Sequence, residues 1–304
     1  MSKRLSSWVL WLGFTGLSAC SKPPPAAPPP APAVAPPPAP DPALAQNARA
    51  AQLAAAPAVA AAGGTSDGFV VVPAGTFVMG ESQTEAGEGY NDAPQHRVTL
   101  TRTFEMQATE VTQAQYKDLM AATPGHLTGC DTCPVIGVSW FQAVTYCNGL
   151  SRRRNLPACY VIVGMDVTAL GPACPGFRLP TEAEWEHAAR AGDPAPRHGP
   201  VDVVAWTDSN SGLQPRPVAQ KPANAWGLRD MLGNVFEWTA DWQGEYPSGE
   251  VTDPQGPTTG TNKVFRGGSY RTPDSEARAA FRNGYGPGNQ VEYIGFRCVR
   301  TLAR

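Results

Sequence analysis

The stretch Gly176-Phe177-Arg178-Leu179-Pro180-Thr181-Glu182-Ala183-Glu184-Trp185-Glu186 contains a complete helix-start signal. Thr181 and Glu184 are spaced as a capping box, in which the Thr hydroxyl takes a first-turn N–H and the Glu carboxylate reaches back to the Thr N–H. Trp185 and Ala189 then fall on an inward face, and Gly192 is placed to end the helix. Glu182, Glu184 and Glu186 resemble an acid/base set. Carboxylates in a first turn are explained more simply by the helix dipole and the cap, so Glu184 is expected to be structural.

Two more helix starts lie upstream. Thr112-Gln113-Ala114-Gln115 precedes Tyr116, Leu119 and Met120, and Ser139-Trp140-Phe141-Gln142 precedes Ala143, Tyr146, Cys147 and Leu150. Strands are expected at 69–72 and 76–79, as a hairpin about Pro73-Ala74-Gly75, and at 97–100, 104–110, 264–265 and 293–301. The rest of the chain beyond Gly192 reads as turns and loops. Glycine, proline and tryptophan are plentiful while Lys and Glu are sparse, which favours a loop-rich α+β fold over a helical bundle. Net charge is only −2 and no Lys/Arg block occurs, which argues against nucleic acid as a partner.

The N-terminal region has a different composition. Lys3 and Arg4 precede an apolar run from Trp8 to Leu17, and Leu17-Ser18-Ala19-Cys20 closes it. This is the layout of a secretory signal, and the run is far short of the roughly 20 residues that span a bilayer. The ending resembles a bacterial lipobox, which implies lipid on Cys20, a membrane partner through that lipid, and a place at the outer membrane, cell surface or periplasm. Segment 21–64 is almost all Pro and Ala and is expected to be a disordered linker. Extended at about 3.1 Å per residue, it would reach roughly 135 Å. The expected division is a signal peptide at 1–20, a linker at 21–64 and one domain at 65–304.

That domain holds Cys130, Cys133, Cys147, Cys159, Cys174 and Cys298. An even count in an exported domain points to three disulfides, with the pairing open. A structural zinc held by Cys130, Cys133, Cys159 and Cys174 is the competing arrangement.

Several phrases identify a family. With Glu110-Val111-Thr112, 134–140 and 176–186 come Ala225-Trp226-Gly227-Leu228-Arg229-Asp230-Met231-Leu232-Gly233-Asn234-Val235-Phe236-Glu237-Trp238, Arg266-Gly267-Gly268-Ser269-Tyr270 and Gly295-Phe296-Arg297. In this order they resemble the formylglycine-generating enzyme family, the sulfatase-modifying factor domain. The resemblance implies an α+β fold related to C-type lectin-like domains with little regular secondary structure. It also implies a copper(I) site of two cysteines just after Gly-Gly-Ser-Tyr. Here 271–278 holds none, and Thr272 stands at the first position. Copper(I) needs soft thiolates, so no copper is expected.

The same resemblance implies a Cys147–Cys298 disulfide and the loss of a second bridge at Ala189 and Ala279. Cys159–Cys174 would close the loop between them, and Cys130–Cys133 would be a tight local bridge. The resemblance further implies a structural calcium at Asp230, Gly233, Val235 and Glu237, an oxygen set suited to a hard cation. Phe236, Ser269, Thr272 and Arg282 would line the former substrate cleft. His96, His126, His187 and His198 are scattered without metal-site spacing, and no Ser-His-Asp set or phosphate loop occurs. The expectation is a non-catalytic binding module for a protein, peptide or glycan; the alternative is a formylglycine-generating-type oxidase acting on a protein cysteine.

Labelled palmitate is expected to enter the unaltered chain and carry it into detergent, and Cys20→Ser to abolish both effects. Undiminished labelling of that variant would rule out the anchor.

Overall fold

All three capping boxes form, and each starts a helix: Gln113–Met120, Trp140–Arg153 and Glu182–Arg190. Thr112, Ser139 and Thr181 accept from the N–H three residues on at 3.2, 3.2 and 3.1 Å. The Gln115, Gln142 and Glu184 side chains return the bond at 2.9, 2.8 and 2.8 Å. Gly192 does not end the third helix. Ala191 takes the left-handed cap at φ 48°, its N–H bonded to the His187 carbonyl. The computed structural model describes residues 67–81, 91–122, 124–127 and 129–302. Cys20 and the segments assigned to signal and linker lie outside the described residues. No helix among the described residues is long and apolar enough to cross a membrane.

The strands sort into short sheets. Phe69–Val72, Phe104–Gln107, Val299–Thr301 and Phe177–Arg178 form one, antiparallel throughout. Arg282–Tyr285, Lys263–Arg266 and Phe236–Trp242 form a second, with Ile294–Gly295 added in parallel. Gly75–Met79, His96–Leu100 and Val251–Thr252 form a third, and Tyr160–Val163 with Asp166–Ala169 a hairpin. The α+β class with little regular structure is as the sequence indicated.

Three expectations are corrected. Phe69–Val72 and Gly75–Met79 do not pair as a hairpin; they join different sheets, one against Phe104–Gln107 and the other against His96–Leu100. The long strand expected at 293–301 splits in two, Ile294–Gly295 and Val299–Thr301. The strand Phe236–Trp242 lies where the sequence pattern indicates turns and loops. Most of its residues are buried on both faces, so it lacks the alternation by which strands are recognised.

Two apolar clusters flank these sheets. One is rich in aromatic rings, with Trp140, Tyr146, Phe236, Trp238, Phe265 and Phe296. The other gathers Val72, Phe104, Met106, Trp185, Leu228 and Met231, and it includes both Ala189 and Ala279.

Every residue of helix Glu182–Arg190 is buried, its carboxylates included. Arg282 grips Glu182 with two bonds of 2.6 and 2.7 Å, and Arg266 adds a third at 2.9 Å. Arg266 also pairs with Glu186, which in turn accepts from Arg190 and the Gly80 N–H at 2.9 Å each. Burial pushes the Glu182 carboxyl up, but Arg282 and Arg266 outweigh it and hold it below its ordinary range. Glu182 and Glu186 are thus anchors for distant strands, more than dipole partners. Glu184 is structural as expected, held by the cap and by Arg178 at 2.6 and 2.8 Å.

Removing one member of such a cluster leaves uncompensated buried charge. Glu182→Ala is expected to lower stability by about 3–5 kcal/mol, read from the denaturant midpoint. A shift within about 0.5 kcal/mol would mean that the cluster is not a structural anchor.

Candidate functional site

The turn Gly267-Gly268-Ser269-Tyr270 leaves the strand Lys263–Arg266 through two left-handed glycines, φ 103° and 82°. A Cβ on Gly267 would lie 3.1 Å from the Trp185 ring, so the turn sits tightly on the anchored helix. Segment 271–278 then closes on itself. The Thr272 hydroxyl accepts from the Ser269 N–H at 2.9 Å and donates to the Ser269 carbonyl at 3.1 Å. Ala277 is buried with Val204, Ala205 and Leu232. Thr207 and Ser209 hydroxyls donate to Asp274 and hold its carboxyl below its ordinary range. The donor set here is one engaged hydroxyl and a buried methyl, which does not fit copper(I).

The expected cleft is not assembled. Phe236 packs among Phe265, Phe281 and Tyr293, and Ser269 is fully buried within its turn. Arg282 is spent on Glu182 and on the carbonyls of Asn91 and Gly244. Of the four residues only Thr272 is partly exposed. Aromatic and Arg side chains beside the family's motifs look like cleft walls in sequence, yet here they are core and ion-pair partners.

The cysteines are placed as follows. Cys130–Cys133 and Cys159–Cys174 are disulfides, which excludes the zinc arrangement of these four. Cys147 and Cys298 meet as expected but are not bonded: both are buried thiols, with sulfurs 3.2 Å apart. The expectation of three bridges is corrected to two, with the third pair juxtaposed. Burial pushes the Cys298 thiol well above its ordinary range, and the neighbouring Cys147 adds to the effect.

The expected calcium ligands are partly brought together. Glu237 is not available, since Arg297 grips both its oxygens at 2.7 Å and Trp185 Nε1 donates at 2.8 Å. Asp230 accepts from the Ala219 N–H at 2.6 Å through Oδ2, while Oδ1 is buried without a partner. Glu110, which sequence reasoning did not place here, accepts from Asn234 at 3.1 Å through Oε1, with Oε2 equally orphaned. Burial and then the Asp230 charge push the Glu110 carboxyl well up, and burial pushes Asp230 up as well. Among the described residues no three His, Cys, Asp or Glu converge as a metal-ligand set. Two orphaned carboxylate oxygens do fit a hard cation, whereas Glu237 does not. Gly233, at φ 74°, belongs to the same turn; a Cβ there would lie 2.4 Å from the Trp206 carbonyl.

A concavity lies elsewhere. A groove of about 600 Å³ runs past Trp140, Tyr160, Trp242 and Lys263. Lys263 Nζ sits 4.2 and 3.8 Å from the two indole centroids and donates to the Ala240 carbonyl at 2.8 Å. No sequence motif pointed to it, because its walls come from widely separated parts of the chain, from Trp140 to Lys263.

Residues 55–302 match the Sulfatase-modifying factor enzyme 1-like domain, and the chain belongs to that family. It is similar to the formylglycine-generating enzyme of Streptomyces coelicolor, 32% identical over 81% of this chain and 93% of that protein. It is also similar to the chaperone protein LppX of Paenibacillus barcinonensis, 30% identical over 78% of this chain and 90% of that one. Among solved structures, Treponema denticola variable protein 1 superposes with a TM-score of 0.71 at 31% identity, covering 77% of this chain and 95% of the other.

The orphaned oxygens carry a test. Calcium at about 100 times its dissociation constant is expected to stabilise the chelator-treated chain by ~2.7 kcal/mol. Asp230→Asn is expected to remove that response. An unchanged melting temperature with and without calcium would leave the two carboxyls without a cation.

Proposed function

We propose that this chain is a lipid-anchored, non-catalytic member of the sulfatase-modifying factor family that binds a ligand outside the cytoplasm. One observation carries the proposal: segment 271–278 has no cysteine, and Thr272 at the first family position spends its hydroxyl inside its own turn. Family oxidation chemistry needs a pair of thiolates there. Among the described residues the free thiols, Cys147 and Cys298, are buried in the aromatic core, where a protein substrate does not reach them. Lipid on Cys20 supplies the membrane contact, at the outer membrane or cell surface, and 21–64 serves as the stalk. Calcium, held by Asp230 and Glu110, acts as a structural ion. The ligand class is a protein, peptide or glycan; a related protein of Paenibacillus barcinonensis is named as a chaperone.

The rival activity is that of a formylglycine-generating-type oxidase, favoured by the 32% identity to the Streptomyces coelicolor enzyme. The full chain in detergent, with or without added copper, is expected to leave a Cys-x-Pro-x-Arg peptide unchanged in mass. Turnover that depends on this chain would overthrow the proposal and make the protein an oxidase with its reactive thiols elsewhere.

A further inference from the structure

The groove between the hairpin Tyr160–Val163/Asp166–Ala169 and the loop 255–258 has the volume of an ordinary small-molecule site. None of the described residues lining it is Asp or Glu. Two are cationic, Arg178 and Lys263, and Arg178 is committed to Glu184 in a buried pair. Lys263 is the cation left for a guest.

Its placement is set by a bulge. Phe265 faces Trp238, but Lys263 faces Trp242, so the strand Phe236–Trp242 carries extra residues at 239–241. A bulge takes backbone groups out of the ladder and re-aims side chains. The Thr239 carbonyl accepts from Trp140 Nε1 at 2.8 Å, and the Ala240 carbonyl accepts from Lys263 Nζ at 2.8 Å. An ammonium has three N–H donors, and within the described structure Lys263 gives one to an acceptor. The indoles on either side attract its charge but offer no lone pair to the remaining donors.

We propose that this groove binds a carboxylate carried on a six-membered ring, with the carboxylate taken by Lys263, which is 5% exposed at the floor, and the ring lying against the half-buried Trp242, above the buried Trp140 and Tyr160. Thr168, Gln255 and Thr258, exposed on the two walls, take the ring substituents by hydrogen bonds. The proposal deepens the binding-module assignment and rests on it for its biological use. Its readout is direct binding, so it fails or holds independently of the peptide-oxidation assay.

Protonation gives the site a signature. Burial pushes the Lys263 ammonium down to about 8, opposed by the Asp241 carboxylate. Asp241 is itself pushed up to about 7 by burial and by Glu182. Glu182 and Glu184, the nearby carboxylates, are held by Arg282 and Arg178. A bound carboxylate favours the charged ammonium, so affinity is full below about 8 and is lost as pH rises through that value. Ionisation of Asp241 over the same range adds repulsion and works in the same direction.

The test is calorimetric titration of the full chain with glucuronate and 4-hydroxybenzoate, each against its neutral counterpart, glucose or phenol. At pH 7 at least one acid is expected to bind about tenfold or more tightly than its counterpart, and Lys263→Met to erase that preference. Raising the pH from 7 to 9.5 is expected to weaken the acid roughly thirty-fold in the unaltered chain. Glucuronate alone binding would assign the ring to a sugar, 4-hydroxybenzoate alone to an aromatic. Absence of saturable binding by both acids at about 10 mM, or a preference that persists in folded Lys263→Met, would overturn the proposal. If that variant does not fold, the pH series decides: affinity that is flat from 7 to 9.5 overturns it.

Discussion

A buried exchange of charge between one helix and two strands organises this domain. Glu182 and Glu186 sit on helix Glu182–Arg190, while Arg266 and Arg282 come from strands 84 and 100 residues farther along the chain from Glu182. Charges removed from water are costly unless they are paired and fully hydrogen-bonded. Arg266 is paired with two carboxylates and donates to the carbonyls of Ala279 and Ala280 at 2.7 and 3.2 Å, leaving its Nε without a partner. The pairing ties the helix to both strands. A fold short of regular sheet gains its definition from those pairs.

The constraint extends to the segment that follows. Because Arg266 is pinned, Gly267 and Gly268 must turn directly over Trp185, and 269–278 must return within the space left above the helix. Ser269, Thr272 and Asp274 close that segment with their own hydrogen bonds. The segment is thus closed by Thr272 on Ser269 and tied through Asp274 to Thr207 and Ser209. A second buried pair, Arg297 with Glu237, fixes the C-terminal strands in the same manner and occupies both Glu237 oxygens.

The groove at Lys263 arises from the other end of the same strand. Lys263 and Arg266 bracket four residues, one cation locked into the core and the other left with donors to spare. The difference is the bulge opposite Lys263, which supplies a single carbonyl where Arg266 finds two carboxylates and two carbonyls. Identical charge on one strand serves packing at one end and leaves a chemical opening at the other.

The sequence by itself determined the three helix starts, since a capping box is chemistry between residues three apart and needs no distant partner. It also carried the family, through ordered motifs, and the α+β class. It placed Cys147 beside Cys298 and Asp230 in its turn, both through that resemblance. The tertiary structure alone decided the rest. Phe69–Val72 left its apparent hairpin for Phe104–Gln107, Glu182 became an anchor rather than a dipole partner, and Phe236, Ser269 and Arg282 went into the interior. Glu110 and Lys263 gained significance only from what surrounds them. Local hydrogen bonds are written within a few residues, whereas burial, charge pairing and strand partnership are settled by segments far apart in the chain, whose meeting no short stretch encodes.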